Sequence, residues 1–212
     1  MKYEDFRNTV ADYPVIRSQI FDHICEDVAT LRRQVSEWVQ KKRLIQLKRG
    51  IYILNTADRK TTVSKFFVAN QLYSPSYISL ETALSFYGMI PELVTRITSV
   101  TTKKTNQFVS EFGDFTYNHI KPDFYSGYEA KVIDSDQQVL IATREKSLID
   151  FFYLRLRYIK KFDQDIFRLS YRFQNLEAID FGRLMEYAKL IGKAKLIKLT
   201  ELFIRFCEEE YD

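Results

Sequence analysis

The 212-residue chain contains little cysteine, glycine, proline or histidine. Its two cysteines, Cys25 and Cys207, are too few for a disulfide scaffold. We expect each of them to be a small buried hydrophobic residue in a reducing compartment. With only 6 Gly and 4 Pro, and with 46% apolar residues, the composition excludes long disordered segments and predicts a well-packed core.

Targeting and membrane signals are also lacking. No apolar run approaches the roughly 20 residues that a membrane-spanning helix needs. The first ten residues, MKYEDFRNTV, mix acidic with apolar side chains and lack the apolar centre of a signal peptide. The sequence therefore predicts a soluble, cytoplasmic protein.

Signatures of catalysis are sparse as well. The two histidines, His23 and His119, are far apart and lack the spacing of metal ligands. The sequence has no P-loop, no GxGxxG motif and no serine nucleophile elbow. We therefore predict a regulator rather than an enzyme, without cofactor or metal.

Positive charge, in contrast, is concentrated near the N-terminus. Residues 1–60 contain 12 Lys and Arg against 8 Asp and Glu, and the rest of the chain contains 20 of each kind. The whole excess of +4 therefore lies in the first part of the chain. This asymmetry predicts an anionic partner for that part.

The same N-terminal part has the pattern of helices followed by a hairpin. Apolar spacing predicts helices over 3–12 and 15–25, and a third helix from a cap at Asp27 or Thr30 to about Lys41. Two short apolar strands, 44–47 and 51–54, then flank a turn at Gly50. This order predicts a winged helix-turn-helix domain over residues 1–56.

The third helix and the hairpin carry the candidate DNA contacts. Leu31, Val35, Trp38 and Val39 fall on one arc and predict the buried face. On the other side, Arg and Gln side chains have the chemistry to read bases, and the basic hairpin and flanking cations suit phosphates. The candidates are Thr30, Arg32, Arg33, Ser36, Gln40, Lys42, Arg43, Lys48 and Arg49. A solvated helix with a basic outer face is the alternative interpretation.

A polar segment, 55–62, predicts a linker to a second domain over 63–212. Helical patterns at 63–72 and 79–87 are followed by five strand-like segments between 96 and 142, with breaks at Gly113-Asp114, Gly127 and Ser135-Asp136. A helical pattern returns from residue 143 onward, and further helical patterns cover 180–191 and 193–209. The fold class is therefore α+β, with a winged helix-turn-helix followed by a larger mixed domain that ends in helices.

Four segments follow one another as they do in AbiE-type antitoxins of type IV toxin–antitoxin systems. They are VSEWVQKKRLIQLKRGIYIL, SPSYISLETALSFYGMIPE, ITSVTTKK and IATREKSLIDFFYL, within about residues 30–160. The chain resembles these abortive-infection antitoxins, and the resemblance implies two activities. The winged helix would repress its own operon promoter at inverted repeats, and the second domain would counteract a nucleotidyltransferase-like toxin.

The resemblance leaves two points open. It does not say whether toxin and antitoxin touch, and it identifies no residues that neutralise the toxin. Winged helices gain specificity by pairing two copies on a repeated site, so a homodimer is one arrangement that it allows.

In the second domain, individual positions of the shared segments predict ordinary scaffold roles. Tyr77 is predicted on the core face of the helix at 79–87, Ser79 as its cap, and Thr143 as the cap of the next helix. Glu145 suits the start of that helix, and Lys146 with Asp150 forms an i, i+4 pair of the ordinary kind.

Two other functions compete with the regulator. Asp123, Glu129 and Lys131 resemble the PD…ExK pattern of metal-dependent nucleases, although five residues between the acids is a short spacing. The C-terminal helices suggest a protein-interaction module. Its candidate contact residues are Leu184, Tyr187, Leu190, Ile191, Leu199, Leu202 and Phe206.

Overall fold

A computed structural model describes residues 1–133 and 136–211, apart from the side chain of Tyr211. The predicted break at Ser135 lies outside the described residues. The fold is mixed α+β, as predicted, with helices on both sides of the strand-rich part of the chain. Among the described residues, no helix combines the length and the apolar character needed to cross a bilayer.

The N-terminal part is built from three helices and three strands. They are α1 (Tyr3–Val10), β1 (Ile16–Arg17), α2 (Phe21–Ile24), α3 (Val28–Gln40), β2 (Leu44–Lys48) and β3 (Ile51–Leu54). The strands form an antiparallel sheet in the order β1-β3-β2. The predicted hairpin is confirmed, and Gly50 at its turn has a φ of +77°.

The helix predicted over 15–25 is confirmed only in part, because a 3₁₀ turn (Ser18–Ile20) and α2 occupy its second half and a strand its first. Ile16 and Arg17 instead pair with Tyr52 and Ile51 of the hairpin, and α2 has only four residues. The predicted apolar positions do face the core, because Ile16 is buried and Ile20 and Ile24 pack against the same cluster. The backbone groups around Ile16, however, are satisfied by the hairpin. A β-branched residue just after Pro14 suits that extended conformation.

The second part contains a six-stranded sheet covered by helices. Its elements are α4 (Lys65–Leu72), β4 (Ser76–Ile78), α5 (Leu80–Phe86), β5 (Ile97–Thr101), β6 (Asn106–Ser110), β7 (Gly113–His119), β8 (Tyr128–Val132), β9 (Gln138–Ala142), α6 (Arg144–Arg155), α7 (Phe181–Ile191) and α8 (Ala194–Tyr211). The sheet order is β6-β7-β5-β4-β9-β8, with β4/β9 and β5/β7 parallel. All five predicted strands are confirmed. Strand β4 was not predicted, and its Tyr77 had been assigned to the core face of the helix at 79–87.

The hairpin joins two hydrophobic clusters. Leu44 and Leu54 pack with α1 and α3 in the smaller cluster. Leu47, Ile51 and Ile53 belong to the large cluster that also contains the sheet and helices of the second part. The hairpin therefore packs across the predicted linker and contributes to both cores.

A buried polar cluster replaces the ordinary roles predicted for four residues. The side chains of Lys146 and Asp150 form an ion pair and are 2% and 1% exposed, so the pair is not a surface pair. Ser79 precedes α5 as predicted, but its hydroxyl donates to Asp150 (2.8 Å) instead of capping the helix. Tyr77 donates to the same carboxylate (2.9 Å), and burial raises the pKa of its phenol.

Glu145 is also more than a charge at a helix start. Its side chain is buried and accepts a hydrogen bond from the backbone N–H of Asp180 (3.2 Å), which precedes α7. Thr143 caps α6 as predicted, since its hydroxyl accepts from the N–H of Lys146 (3.3 Å). The start of α6 is thereby connected to the start of α7.

The C-terminal helices mainly complete the core. Leu184, Leu199 and Phe206 are buried within the large cluster, whereas Leu190 is 53% exposed. Tyr187, Ile191 and Leu202 are half-buried and pack against the same cluster. Most of the contact residues predicted for the interaction module therefore pack in the core and are not available to a partner. Cys207 is buried, which raises the pKa of its thiol to about 12, whereas Cys25 is only half-buried.

Candidate nucleic-acid interface

Helix α3 presents one face to the core and one to solvent. Leu31, Val35 and Trp38 are buried, and the Trp38 ring packs against Tyr3 and Phe6 at centroid distances of 5.3 and 4.9 Å. These contacts fix the rotation of α3 about its own axis, as the apolar arc predicted. The opposite face is therefore held outward by packing.

Asp27, rather than Thr30, begins this helix. Its carboxylate accepts the N–H of Thr30 (3.0 Å), and this hydrogen bond holds the Asp27 pKa below its usual value. The Thr30 side chain is half-buried within the first turn. Thr30 thus has its predicted position at the helix start without being the cap.

The outward face carries most of the predicted base-reading set. Arg32, Arg33, Ser36 and Gln40 are all exposed. Among the described residues, no carboxylate forms a salt bridge with Arg32 or Arg33. The Ser36 hydroxyl donates to the carbonyl of Arg32 (3.1 Å), which leaves only its lone pairs for a ligand.

The end of α3 holds two more candidates in an unusual backbone geometry. The N–H groups of Lys42 and Arg43 donate to the carbonyls of Val39 (3.0 Å) and Trp38 (2.9 Å), which is a Schellman motif. Lys42 occupies the left-handed position of that motif, with a φ of +56°, where glycine is favoured. Its ammonium lies 3.7 Å from the carboxylate of Glu111, and both side chains are well exposed.

Arg43 is exposed and lies over an aromatic ring. Its guanidinium carbon is 4.5 Å from the ring centroid of Tyr3. The Tyr3 hydroxyl donates to Asp58 (2.7 Å), and burial with this neighbouring carboxylate raises the Tyr3 pKa. The ring therefore supports the Arg43 side chain on the surface beside α3.

The two cations of the hairpin differ. Arg49 is exposed at the turn, whereas Lys48 is half-buried and its ammonium donates to the carbonyl of Leu72, the last residue of α4. Burial lowers the Lys48 pKa, with smaller contributions from Arg17 and Lys103. Lys48 thus faces the second part of the chain and neutralises a helix C-terminus there.

The nuclease residues do not form a comparable group. Asp123 lies in a short 3₁₀ turn (Pro122–Phe124), while Glu129 and Lys131 lie on β8 and form an ion pair (2.8 Å). That pairing lowers the Glu129 pKa. Within 1–133 and 136–211, no group of three or more His, Cys, Asp and Glu side chains is arranged to hold a metal ion.

A second basic surface lies outside the residues predicted from the sequence. Residues 155–161 carry four cations and no acid, interrupted by Tyr158. The charge run itself was a visible signal. Lys193, at the N-terminus of α8, is distant from this run in the sequence. The fold brings it to a cleft that Arg157 also lines.

Comparison with protein-family models and with curated proteins finds no match to this chain.

Proposed function

We propose that this protein is a DNA-binding transcriptional repressor of its own operon and the antitoxin of a type IV-like toxin–antitoxin system. The observation that supports DNA binding best is the exposed face of α3, where Arg32 and Arg33 have no ion-pair partner among the described residues. The order of helices and strands, with β1 paired to the hairpin, supports the proposal of a winged helix-turn-helix.

In this proposal α3 enters the major groove. Arg33 and Gln40 would read base edges, because guanidinium and amide groups match guanine and adenine bidentately. Arg32, Lys42, Arg43 and the hairpin cation Arg49 would contact phosphates and release counterions. Thr30 would contribute a neutral phosphate contact. Lys48 would instead hold the hairpin against the second part, because its ammonium already binds the Leu72 carbonyl.

A gel shift on the promoter of the chain's own operon tests this assignment. Arg33→Ala should weaken binding by about tenfold or more, because a good bidentate base contact contributes about 1–3 kcal/mol. Arg49→Ala should weaken binding to all sequences and reduce the salt slope of log K by about 0.9.

Two variants serve as controls for this experiment. Arg205→Ala removes an exposed cation of α8, and Lys48→Ala removes the inward-facing hairpin cation. Neither should change the salt slope. If Arg33→Ala and Arg49→Ala both bind like the wild type, α3 and the hairpin are not the DNA-binding face.

The antitoxin half of the proposal is supported by the order of the four AbiE-like segments alone. Its first test is the neighbouring reading frame, which should encode a nucleotidyltransferase-like protein. Expression of that protein should arrest growth, and co-expression of this chain should restore it. Arg33→Ala should still restore growth when both genes are driven by foreign promoters. Arrest that persists with the wild-type chain would refute the antitoxin role.

A further inference from the structure

A basic cleft lies where the C-terminus of α6 meets the N-terminus of α8. Its volume is about 640 Å³, and its lining includes Asn118, His119, Tyr153, Arg157, Lys193 and Lys195. No Asp or Glu is among the described residues that line it. A cleft of this size with cations on two of its walls suits an anionic ligand.

The start of α8 places its charges against the helix dipole. Lys193 precedes the helix and Lys195 lies in its first turn, which contains no acidic residue. Cations at a helix N-terminus are unfavourable, because that end already carries partial positive charge. The resulting positive potential adds to that of Arg157, and no acidic residue in the first turn of α8 offsets it.

The cations of the cleft have different tasks. The Lys195 ammonium donates to the carbonyls of Leu156 (3.0 Å) and Ile159 (2.7 Å), so it mainly closes the end of α6. Lys193 and Arg157 are exposed, and no described carboxylate forms a salt bridge with either of them. These two cations are free to bind a phosphate.

Aromatic rings alternate with these cations. The guanidinium of Arg157 lies 4.6 Å from the ring centroid of Tyr158, and the Lys193 ammonium lies 4.7 Å from that of Tyr153. Tyr158 is 63% exposed, although a tyrosine of a folded protein usually buries most of its ring. Cations interleaved with an exposed ring are the pattern of sites that bind unpaired bases.

A second cleft of about 290 Å³ continues the first. The two share Asn118, Leu154 and Arg157, and the second adds Arg96 and Arg155 to its walls. Arg155 is paired with Glu81, and Arg96 lies 3.9 Å from Asp114. The positive potential of the second cleft is therefore partly neutralised. Because Arg157 lines both clefts, they adjoin at this residue, and the two together are called the groove.

We propose that this groove binds a single-stranded polynucleotide, with Arg157 and Lys193 on its phosphates and Tyr158 stacked on a base. A duplex fits less well, because its bases are paired and stacked and offer no face to Tyr158. The site is separate from α3 and does not depend on promoter binding by that helix.

Fluorescence anisotropy on the full chain tests the proposal. The probes are a labelled, unstructured RNA of about 12 nucleotides, the DNA strand of the same sequence, and its duplex. Arg157→Ala/Lys193→Ala should weaken single-strand binding about tenfold or more and reduce the salt slope by about 1.4. Tyr158→Ala should weaken single-strand binding by about tenfold. Tyr158→Phe should bind the single strand like the wild type, because it keeps the aromatic ring.

The controls separate this groove from α3. Arg33→Ala should leave single-strand binding unchanged while it weakens promoter binding, and the Arg157/Lys193 variant should do the reverse. Arg205→Ala should change neither. The relative affinities for the RNA and the DNA strand identify which of the two the groove prefers.

Three results would overturn the proposal. The first is no single-strand binding by the wild type at low salt, and the second is wild-type affinity in the Arg157/Lys193 variant. The third is competition by uridine monophosphate as effective as that of the strand, which would indicate a mononucleotide pocket instead.

Discussion

At the scale of single residues, the most unexpected feature is the charge buried between α6 and β4. Lys146 and Asp150 are almost fully removed from solvent, and the carboxylate also accepts the hydroxyls of Tyr77 and Ser79. Desolvation of two charges is costly, and only a complete set of partners offsets it. The sequence shows the i, i+4 spacing but not the burial, which depends on β4 lying against α6.

Removal of one partner of this pair should therefore be more harmful than removal of both charges. Lys146→Met should reduce the free energy of unfolding by about 3–5 kcal/mol, because it leaves the Asp150 carboxylate buried without a cation. Adding Asp150→Asn should recover part of that loss, because the amide oxygen still accepts from Tyr77 and Ser79. Urea denaturation measures both, with Lys198→Met as the exposed control. Additive losses in the double variant would show that the two charges are not coupled.

At the scale of elements, the sequence predicted those helices and strands whose ends are marked by capping or turn residues. Asp180 caps α7 and Gly192 ends it with a φ of +71°, and the predicted span 180–191 is confirmed. The short strands β1 and β4 were not predicted. Their two and three residues are extended only because β3, and β5 with β9, lie beside them. No local pattern contains that information.

The end of α3 offers a test of whether backbone strain is retained for binding. Lys42→Gly should stabilise the protein by about 1 kcal/mol, because glycine adopts positive φ without the steric cost of a side chain. The same variant should weaken promoter binding, because it removes a phosphate contact of the proposed interface. Thermal unfolding and the gel shift measure the two effects.

Lys42→Ala is the matched control for this variant, since it removes the charge and keeps a β-carbon at positive φ. It should weaken promoter binding as much as Lys42→Gly, without the gain in stability. If Lys42→Gly binds DNA as well as the wild type, the strain at this position does not serve the interface.

At the scale of the whole molecule, a surface could be predicted from the sequence when one element supplies it, but not when several elements do. The α3 face was predictable because one helix supplies it, and the buried positions of Leu31, Val35 and Trp38 define its opposite side. The cleft beside Arg157 was not, because it joins α6, β7 and the start of α8. The hairpin could be predicted as an element, but its packing against the second part could not.

The large core also determines how the molecule should respond to alkaline pH. Tyr117 on β7 is fully buried and donates to the Ala69 carbonyl (2.6 Å), and burial raises its pKa. An unfolded tyrosine ionises near pH 10. Because the folded pKa lies above the unfolded one, the stabilisation is complete below about pH 10 and declines as the pH rises further.

Tyr117→Phe should therefore reduce the dependence of stability on alkaline pH. At pH 7 the variant should be less stable by about 1 kcal/mol, through the lost hydrogen bond. Above about pH 10 that deficit should shrink by about 1.4 kcal/mol per pH unit, because only the wild type must keep this phenol protonated in the core. Urea denaturation from pH 7 to 11 measures it. Tyr13→Phe, at a half-exposed site, is the matched control. A parallel profile for Tyr117→Phe would show that ionisation of Tyr117 does not contribute to alkaline unfolding.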